Sequence, residues 1–279
     1  MGLEMGDRDW EKIERVAVEA AKEAGSLIRE KMGHPSTVAA KAPADYVTEV
    51  DSECEELLMG FIKASFPDHM ILSEETPFEG WKPGITWIID PLDGTTNFIH
   101  GFPMVSVSVA VAVDASPVLG LVWDPLREEL FLARKGKGAE LNGRPIRVRK
   151  EARVPDALMA TGFPHRAKHY LDAYVVAMKR ILEEANDLRR AGSAALDLAY
   201  VACGRLDGFW EPGLKTWDVA AGSLLVLEAG GVVTDFWGRG DYLFNGHIIA
   251  GPPAIHRFLL ERILRFLAPA LEEGPIKRA

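Results

Sequence analysis

The stretch WIIDPLDGTTNF, residues 87–98, joins two unlike signals. Trp87, Ile88 and Ile89 make a short apolar run suited to a buried strand, and the run ends on Asp90. Pro91 and a second acid, Asp93, follow at once, and Gly94-Thr95-Thr96-Asn97 then has the composition of a turn before a helix start. Two carboxylates that close repel each other, so a positive group is expected to offset them. Pro91 stiffens the turn and lets Asp90 and Asp93 share one site. Amides exposed at Thr95 and Thr96 could hold a phosphate.

Outward from this stretch, the chain changes rhythm. Ile13, Val16, Ala20, Ala24, Leu27 and Ile28 recur at helical spacing, which predicts a helix over 9–32 ended by Gly33. A loop holding Pro35 and Pro43 leads to DYVTEVD, and a second helix is predicted over 52–65, before Pro67. MILSEE (70–75) reads as a short strand closing on acids. From Met104 to Val148 the pattern is β, with VSVSVAVAV, VLGLVWD, ELFLARKG and RPIRVRK as strands and Asn142-Gly143 as a tight turn. Beyond residue 150, strands at ALMATG, DLRRA, GFWE, GVVTDF and HIIAG alternate with helices at 168–186, 193–203, 216–230 and 254–267. Alternation of this kind predicts a parallel or mixed sheet. The reading is therefore an α+β part over 1–150 followed by an α/β part over 151–279.

Bulk properties narrow the setting. A chain of 279 residues with 48% hydrophobic and 26% charged residues can bury a substantial core. Its formal charge of −9 argues against a broad nucleic-acid or anionic-membrane surface. The longest apolar stretch, 104–113, is too short to span a bilayer as a helix, and MGLEMGDRDWEK lacks the pattern of a signal peptide. Two cysteines, Cys54 and Cys203, make no disulfide framework, so a cytoplasmic setting is expected.

Five acids fall at the ends of predicted elements: Asp51, Glu74, Asp90, Asp93 and Asp218. Functional groups on open α/β sheets gather there. So many oxygen ligands suit Mg²⁺ or Mn²⁺ rather than zinc. Each acid also has a plainer role open to it. DPLDG could be only a turn, Glu74-Glu75 an exposed corner, and Asp51 and Asp218 simple helix caps. Several other features are set aside: His165 and His169 as a metal pair, RKGKG (134–138) as a phosphate loop rather than a β-turn, and Cys203 as a nucleophile.

Glu74-Glu75, WIIDPLDGTTNF and WDVAAGSLLVLEAGG (217–231) resemble the three signature segments of the inositol monophosphatase family. The likeness extends through KAPADYVTEVD (41–51), ARKGKG (133–138) and GSAALDLAYVACGRLDGFWE (192–211). It implies the layered α-β-α-β-α sugar phosphatase fold, usually a homodimer, and hydrolysis of a sugar or inositol phosphate by Mg²⁺-activated water. By the same resemblance, Glu74, Asp90 and the Leu92 carbonyl correspond to ligands of a first ion. Asp90, Asp93 and Asp218 correspond to those of a second, and Glu74 helps hold a third. Thr95 with Asp51 corresponds to the pair that activates water, and the Gly94 and Thr95 amides to phosphate contacts. Glu211, Gly192 and Ala194, with Asp93 and Asp218, correspond to groups facing the substrate, and Lys41 to a lysine facing the site. Li⁺ inhibition, typical of the family, is expected to act at the second ion site.

GTTNF resembles the inositol-phosphate branch, whereas nucleotide 3′-phosphatase relatives carry Lys after DGT and fructose-bisphosphatase relatives read DGSSN or DGTFN. Dual action on inositol phosphate and fructose 1,6-bisphosphate stays open. Lys215, Thr216 and FPHRAKHY (163–170) depart from the animal enzymes. Some bacterial relatives also contact the transcription machinery, and Arg189, Arg190, Arg205 and Arg239 could serve such a surface or be ordinary solvated charges.

Overall fold

The computed structural model describes residues 6–42, 45–78, 80–164 and 168–272. Helix α1 (Asp7–Lys31) buries Ile13, Ala17, Ala20, Ala24 and Ile28, the stripe that its 3.6-residue period requires. Strands β1 (Val38–Ala42) and β2 (Asp45–Thr48) then pair as an antiparallel hairpin where the sequence pattern predicts a loop. Every residue of β1 is exposed, so no apolar alternation marks it. Thr48 caps α2 (Glu49–Ser65), which buries Val50, Cys54, Leu58 and Ile62. Strands β3 (Met70–Ser73) and β4 (Ile85–Asp93) and the short helix α3 (Thr95–Ile99) follow. The β run is a meander of β5 (Ser106–Val113), β6 (Ser116–Asp124), β7 (Glu129–Arg134), β8 (Gly138–Leu141) and β9 (Arg144–Ile146). The expected RPIRVRK strand stops early because the Val148 N–H instead donates to Ala229 O at 3.2 Å.

The second half runs β10 (Leu158–Thr161), α4 (Leu171–Leu182), β11 (Asp187–Arg189), α5 (Ala194–Ala202) and β12 (Gly208–Pro212). It continues through α6 (Thr216–Glu228), β13 (Val232–Thr234), α7 (Tyr242–Asn245), β14 (His247–Gly251), α8 (Pro253–Phe266) and α9 (Ala268–Glu272). Helix α4 is shorter than the predicted 168–186. A single 3₁₀ turn, Lys168–Tyr170, precedes it, and after Leu182 the chain turns so that the Asn186 N–H reaches Ala157 O at 3.2 Å.

The seven-stranded sheet has the order β3-β4-β5-β6-β7-β8-β9, parallel only between β3 and β4. The second sheet, β11-β10-β12-β14-β13, is mixed: β10 is parallel to both β11 and β12, and β14 is antiparallel to its neighbours. Alternation sorts the strand residues into layers. Trp87, Ile89, Val109, Leu121 and Trp123 pack against α1 and α2. Ile88, Ala110, Val122 and Phe131 face the opposite way, onto α5, α6 and the Phe209–Ile248 face of the second sheet. Met159, Trp210 and Ile249 pack under α4 and α8. The result is an α-β-α-β-α sandwich. No helix among the described residues is long and apolar enough to cross a membrane.

Helix α6 lies unusually close to β6. A Cβ on Gly120 would sit 2.7 Å from Ala221 O and 3.1 Å from Ala221 Cα, and neither backbone atom can step aside alone. Gly120→Ala should therefore push α6 away from the sheet and cost about 1–3 kcal/mol. A urea titration should show a lower midpoint at an unchanged slope.

His247 opens β14 with its ring stacked on Phe236 at 5.2 Å and its Nδ1 accepting the Gly213 N–H at 3.3 Å. Burial pushes the imidazole down from 6.5 to about 4, and Asp235 opposes this only partly. Between those values the unfolded chain binds the extra proton and the folded one does not. The neutral ring therefore costs nothing above pH 6.5, and stability is lost as pH falls from 6.5 towards 4, by about 3 kcal/mol. Melting temperatures of the wild type and His247→Asn, compared at pH 7.5 and pH 5, should show the smaller fall in the variant.

Candidate active site

The bulge at the end of β4 builds the centre of the site. Asp90 lies opposite Ser108 and Asp93 opposite Ser106, so β4 takes three steps where β5 takes two. Pro91 cannot donate to a ladder, and a bulge is where a strand tolerates it. The extra residue places Asp90 and Asp93 beside each other. Asp90 is 1% exposed and accepts the Leu92 N–H at Oδ1, at 3.1 Å. Burial raises its carboxyl well above the usual range, and Glu74, Asp93 and Asp218 raise it further, so these four acids share one neighbourhood. Burial also pushes Asp93 up to about 6, against hydrogen bonds to Oδ2 from Ser193 Oγ at 2.6 Å and the Ala195 N–H at 2.9 Å.

Gly94 follows with φ +97°, a left-handed turn into α3. A Cβ there would lie 2.8 Å from Met104 O, so both the backbone angle and the space call for glycine. This turn sets the Thr95 hydroxyl 2.9 Å from Asp51 Oδ1, its nearer acceptor, and 3.3 Å from Leu92 O. Asp51 uses its other oxygen to cap α2, with Thr48 N at 2.8 Å and Thr48 Oγ1 at 2.6 Å. The cap and the pairing with Thr95 are thus performed by one side chain. Burial, chiefly, raises the Asp51 carboxyl, while the bonds from Thr48 and Thr95 and the Lys41 charge pull the other way.

Glu74 stands just past β3, where Lys41 from the β1–β2 hairpin reaches its Oε1 at 3.1 Å and also pairs with Glu75. Asp218 sits in the first turn of α6 and accepts the Lys215 N–H at 2.6 Å, so it also caps its helix. Glu211, on β12, has its carboxyl raised strongly by burial, then by Asp197 and Asp218, with Arg190 opposing. Gly192 and Ala194 meet the bulge across the interface between the two halves: Gly192 O approaches Gly94, and Ala194 opens α5 beside Asp93. Among the described residues, no three Asp, Glu, His or Cys side chains are gathered tightly enough to close on one ion as they stand. The donor set nevertheless suits a hard divalent cation: it is all oxygen, strongly negative and buried.

Several residues that the sequence pattern did not single out belong here. Ser193 caps α5 and bonds Asp93, Asn97 spans α3 and the 191–192 loop, and Asp197 is buried with one oxygen unpartnered. The GTTN run and the small residues around Ser193 were the available signals. RKGKG forms a turn, and its Gly136 and Gly138 amides hold the Glu228 carboxylate at 2.8 and 2.9 Å. Cys203 is half-buried at the end of α5. His165 lies outside the described residues. Arg205 pairs with Glu129, Arg189 with Asp187, and Arg190 covers the Phe163 ring at 5.7 Å.

Residues 9–270 match the profile of the Inositol monophosphatase family. The Nus factor SuhB of Escherichia coli K12 is 45% identical over 260 residues, which cover 92% of this chain and 97% of that protein. The extragenic suppressor protein suhB from Bartonella henselae has a crystal structure that superposes with a TM-score of 0.86 at 40% identity, over 90% of this chain and 98% of that one. The Thermotoga maritima IMPase superposes with a TM-score of 0.82 at 35% identity, over 92% and 96% of the two chains. The match runs almost end to end in sequence and in fold, and the chain belongs to the inositol monophosphatase family.

Proposed function

We propose that the chain is a Mg²⁺-dependent phosphomonoesterase acting on inositol 1-phosphate or a related sugar phosphate, in line and without a phosphoenzyme. The observation that carries this reading is the buried acid neighbourhood around Asp90 placed next to the hydroxyl–carboxylate pair of Thr95 and Asp51. Glu74, Asp90 and the Leu92 carbonyl would hold one ion, and Asp90, Asp93 and Asp218 a second, with Glu74 sharing a weaker third. When bound, Mg²⁺ supplies charge neutralisation for the phosphate and acidifies the attacking water; Mn²⁺ has the same ligand preferences. Glu74 would leave Lys41 to take up this role, which makes the hairpin the part of the site that must yield.

Thr95 Oγ would take a proton from water while passing its own to Asp51 Oδ1, the acceptor 2.9 Å away. Burial raises the basicity of the Asp51 carboxylate and favours that transfer. The Gly94 and Thr95 amides would contact the phosphate, and Glu211, Gly192, Ala194, Asp93 and Asp218 would face the sugar. GTTNF supports the inositol-phosphate branch. The exposed face of α4, with Leu171, Val175, Val176 and Leu182, offers an apolar surface for a homodimer.

Phosphate release from inositol 1-phosphate, fructose 1,6-bisphosphate and adenosine 3′,5′-bisphosphate should depend on Mg²⁺, cease in EDTA, fall with Li⁺, and be fastest with the inositol ester. Release from none of the three would overturn the reading. Asp93→Asn and Asp218→Ala should each lower kcat at least about 100-fold while remaining folded in EDTA, with a modest loss of melting temperature from the lost helix cap in Asp218→Ala. Full activity of either at saturating Mg²⁺ would remove that residue from the ligand set.

A second role, contact with the transcription machinery in addition to catalysis, is favoured by the name of the Escherichia coli relative, a Nus factor. Co-purification with transcription proteins that persists in Asp93→Asn would support it. No recovery with either protein would count against it.

A further inference from the structure

Asn97 is 8% exposed and reaches three main-chain carbonyls with one side-chain nitrogen. Its Nδ2 lies 2.7 Å from Met104 O, 2.9 Å from Ala191 O and 3.3 Å from Gly192 O. All three partners can only accept, which fixes the orientation of the amide: nitrogen, not oxygen, must face them. Two N–H protons serve three acceptors, so one proton is shared. Two of these bonds join residues 94 and 95 positions apart in the chain, across the boundary between the seven-stranded and five-stranded sheets.

We propose that Asn97 is a positioning residue, whose amide sets the Ala191–Gly192–Ser193 loop against the Gly94–Thr95 turn and so fixes where that loop meets a substrate. This rests on the phosphatase reading above. The peptides are trans, so drawing the Ala191 and Gly192 carbonyls towards Asn97 turns the Gly192 and Ser193 N–H groups together to the opposite side of the loop. Gly192, at φ +89°, allows that double turn. Paired amides of this kind form a concavity for an oxygen atom. The spacing is tight: a Cβ on Gly94 would lie 3.3 Å from Gly192 O, and one on Gly192 would lie 3.1 Å from Asn97 Nδ2.

A second tie holds the same loop, from Ser193 Oγ and the Ala195 N–H to Asp93 Oδ2. That tie runs through Oδ2 of Asp93, a proposed metal ligand. The Asn97 tie runs from an amide nitrogen to main-chain carbonyls and involves no proposed metal ligand.

The test uses the full chain in Mg²⁺, comparing wild type with Asn97→Ala, and with Asn97→Ser should the alanine variant not fold. Backbone hydrogen exchange across 190–197 should speed up at least about tenfold in the variant, with exchange over 105–113 unchanged. KM for inositol 1-phosphate should rise about tenfold while kcat stays within about threefold and the Mg²⁺-induced rise in melting temperature is kept. A purely structural role would lower kcat or the melting temperature and leave KM alone. Unchanged exchange over 190–197, or an unchanged KM, would overturn the proposal. A wild type that releases no phosphate would sink the phosphatase reading instead, and the exchange measurement would still decide the role of Asn97.

Discussion

The structure is organised around the cost of burying Asp90 at the end of a strand with three more acids in its neighbourhood. A carboxylate in such a place is unfavourable unless hydrogen bonds or a cation offset it. The surrounding chain supplies part of that offset, acid by acid. Asp51 accepts from Thr48 and Thr95, Asp93 from Ser193 and the Ala195 amide, Asp218 from the Lys215 amide, and Glu74 from Lys41. Asp90, which accepts the Leu92 amide, stands at the centre. The charge left there is what a divalent cation would meet.

Holding these groups in register requires both halves of the chain. The bulge in β4 contributes Asp90 and Asp93, and α2 contributes Asp51. Helix α6, in the layer between the two sheets, brings Asp218. Contact at Gly120 fixes how closely α6 approaches the first sheet, and Glu228, at its other end, clasps the Gly136 and Gly138 amides. An anion-holding turn is therefore present in RKGKG, as its glycines suggest, and an internal carboxylate fills it.

Helix capping and site chemistry turn out not to be competing explanations. Asp51 and Asp218 each close a helix start through one carboxylate oxygen, and Asp51 has its second oxygen on Thr95. A carboxylate has lone pairs enough for both tasks. The cap holds the side chain in one rotamer, and this is a sound way to position a group that must also react or bind.

What was legible in the sequence follows from local physics. Helical and alternating apolar spacing marked α1, α2, α5, α6, α8 and the strands of the meander, because burial on one face imposes a period. The rigid turn at Asp90-Pro91 and the glycine at Gly94 were visible for the same reason: backbone angle depends on neighbours. Strand β1 was not, since every one of its residues is exposed and no burial pattern marks it. Nor were the early ends of α4 and β9, which are set by hydrogen bonds to Ala157 and Ala229, residues distant in sequence. Only the tertiary structure decided that Asn97 would meet Ala191 and Gly192, that Ser193 would meet Asp93, and which oxygen of each acid remains for another partner. Those pairings depend on how two sheets and a helix layer stack, and no local window of sequence encodes that.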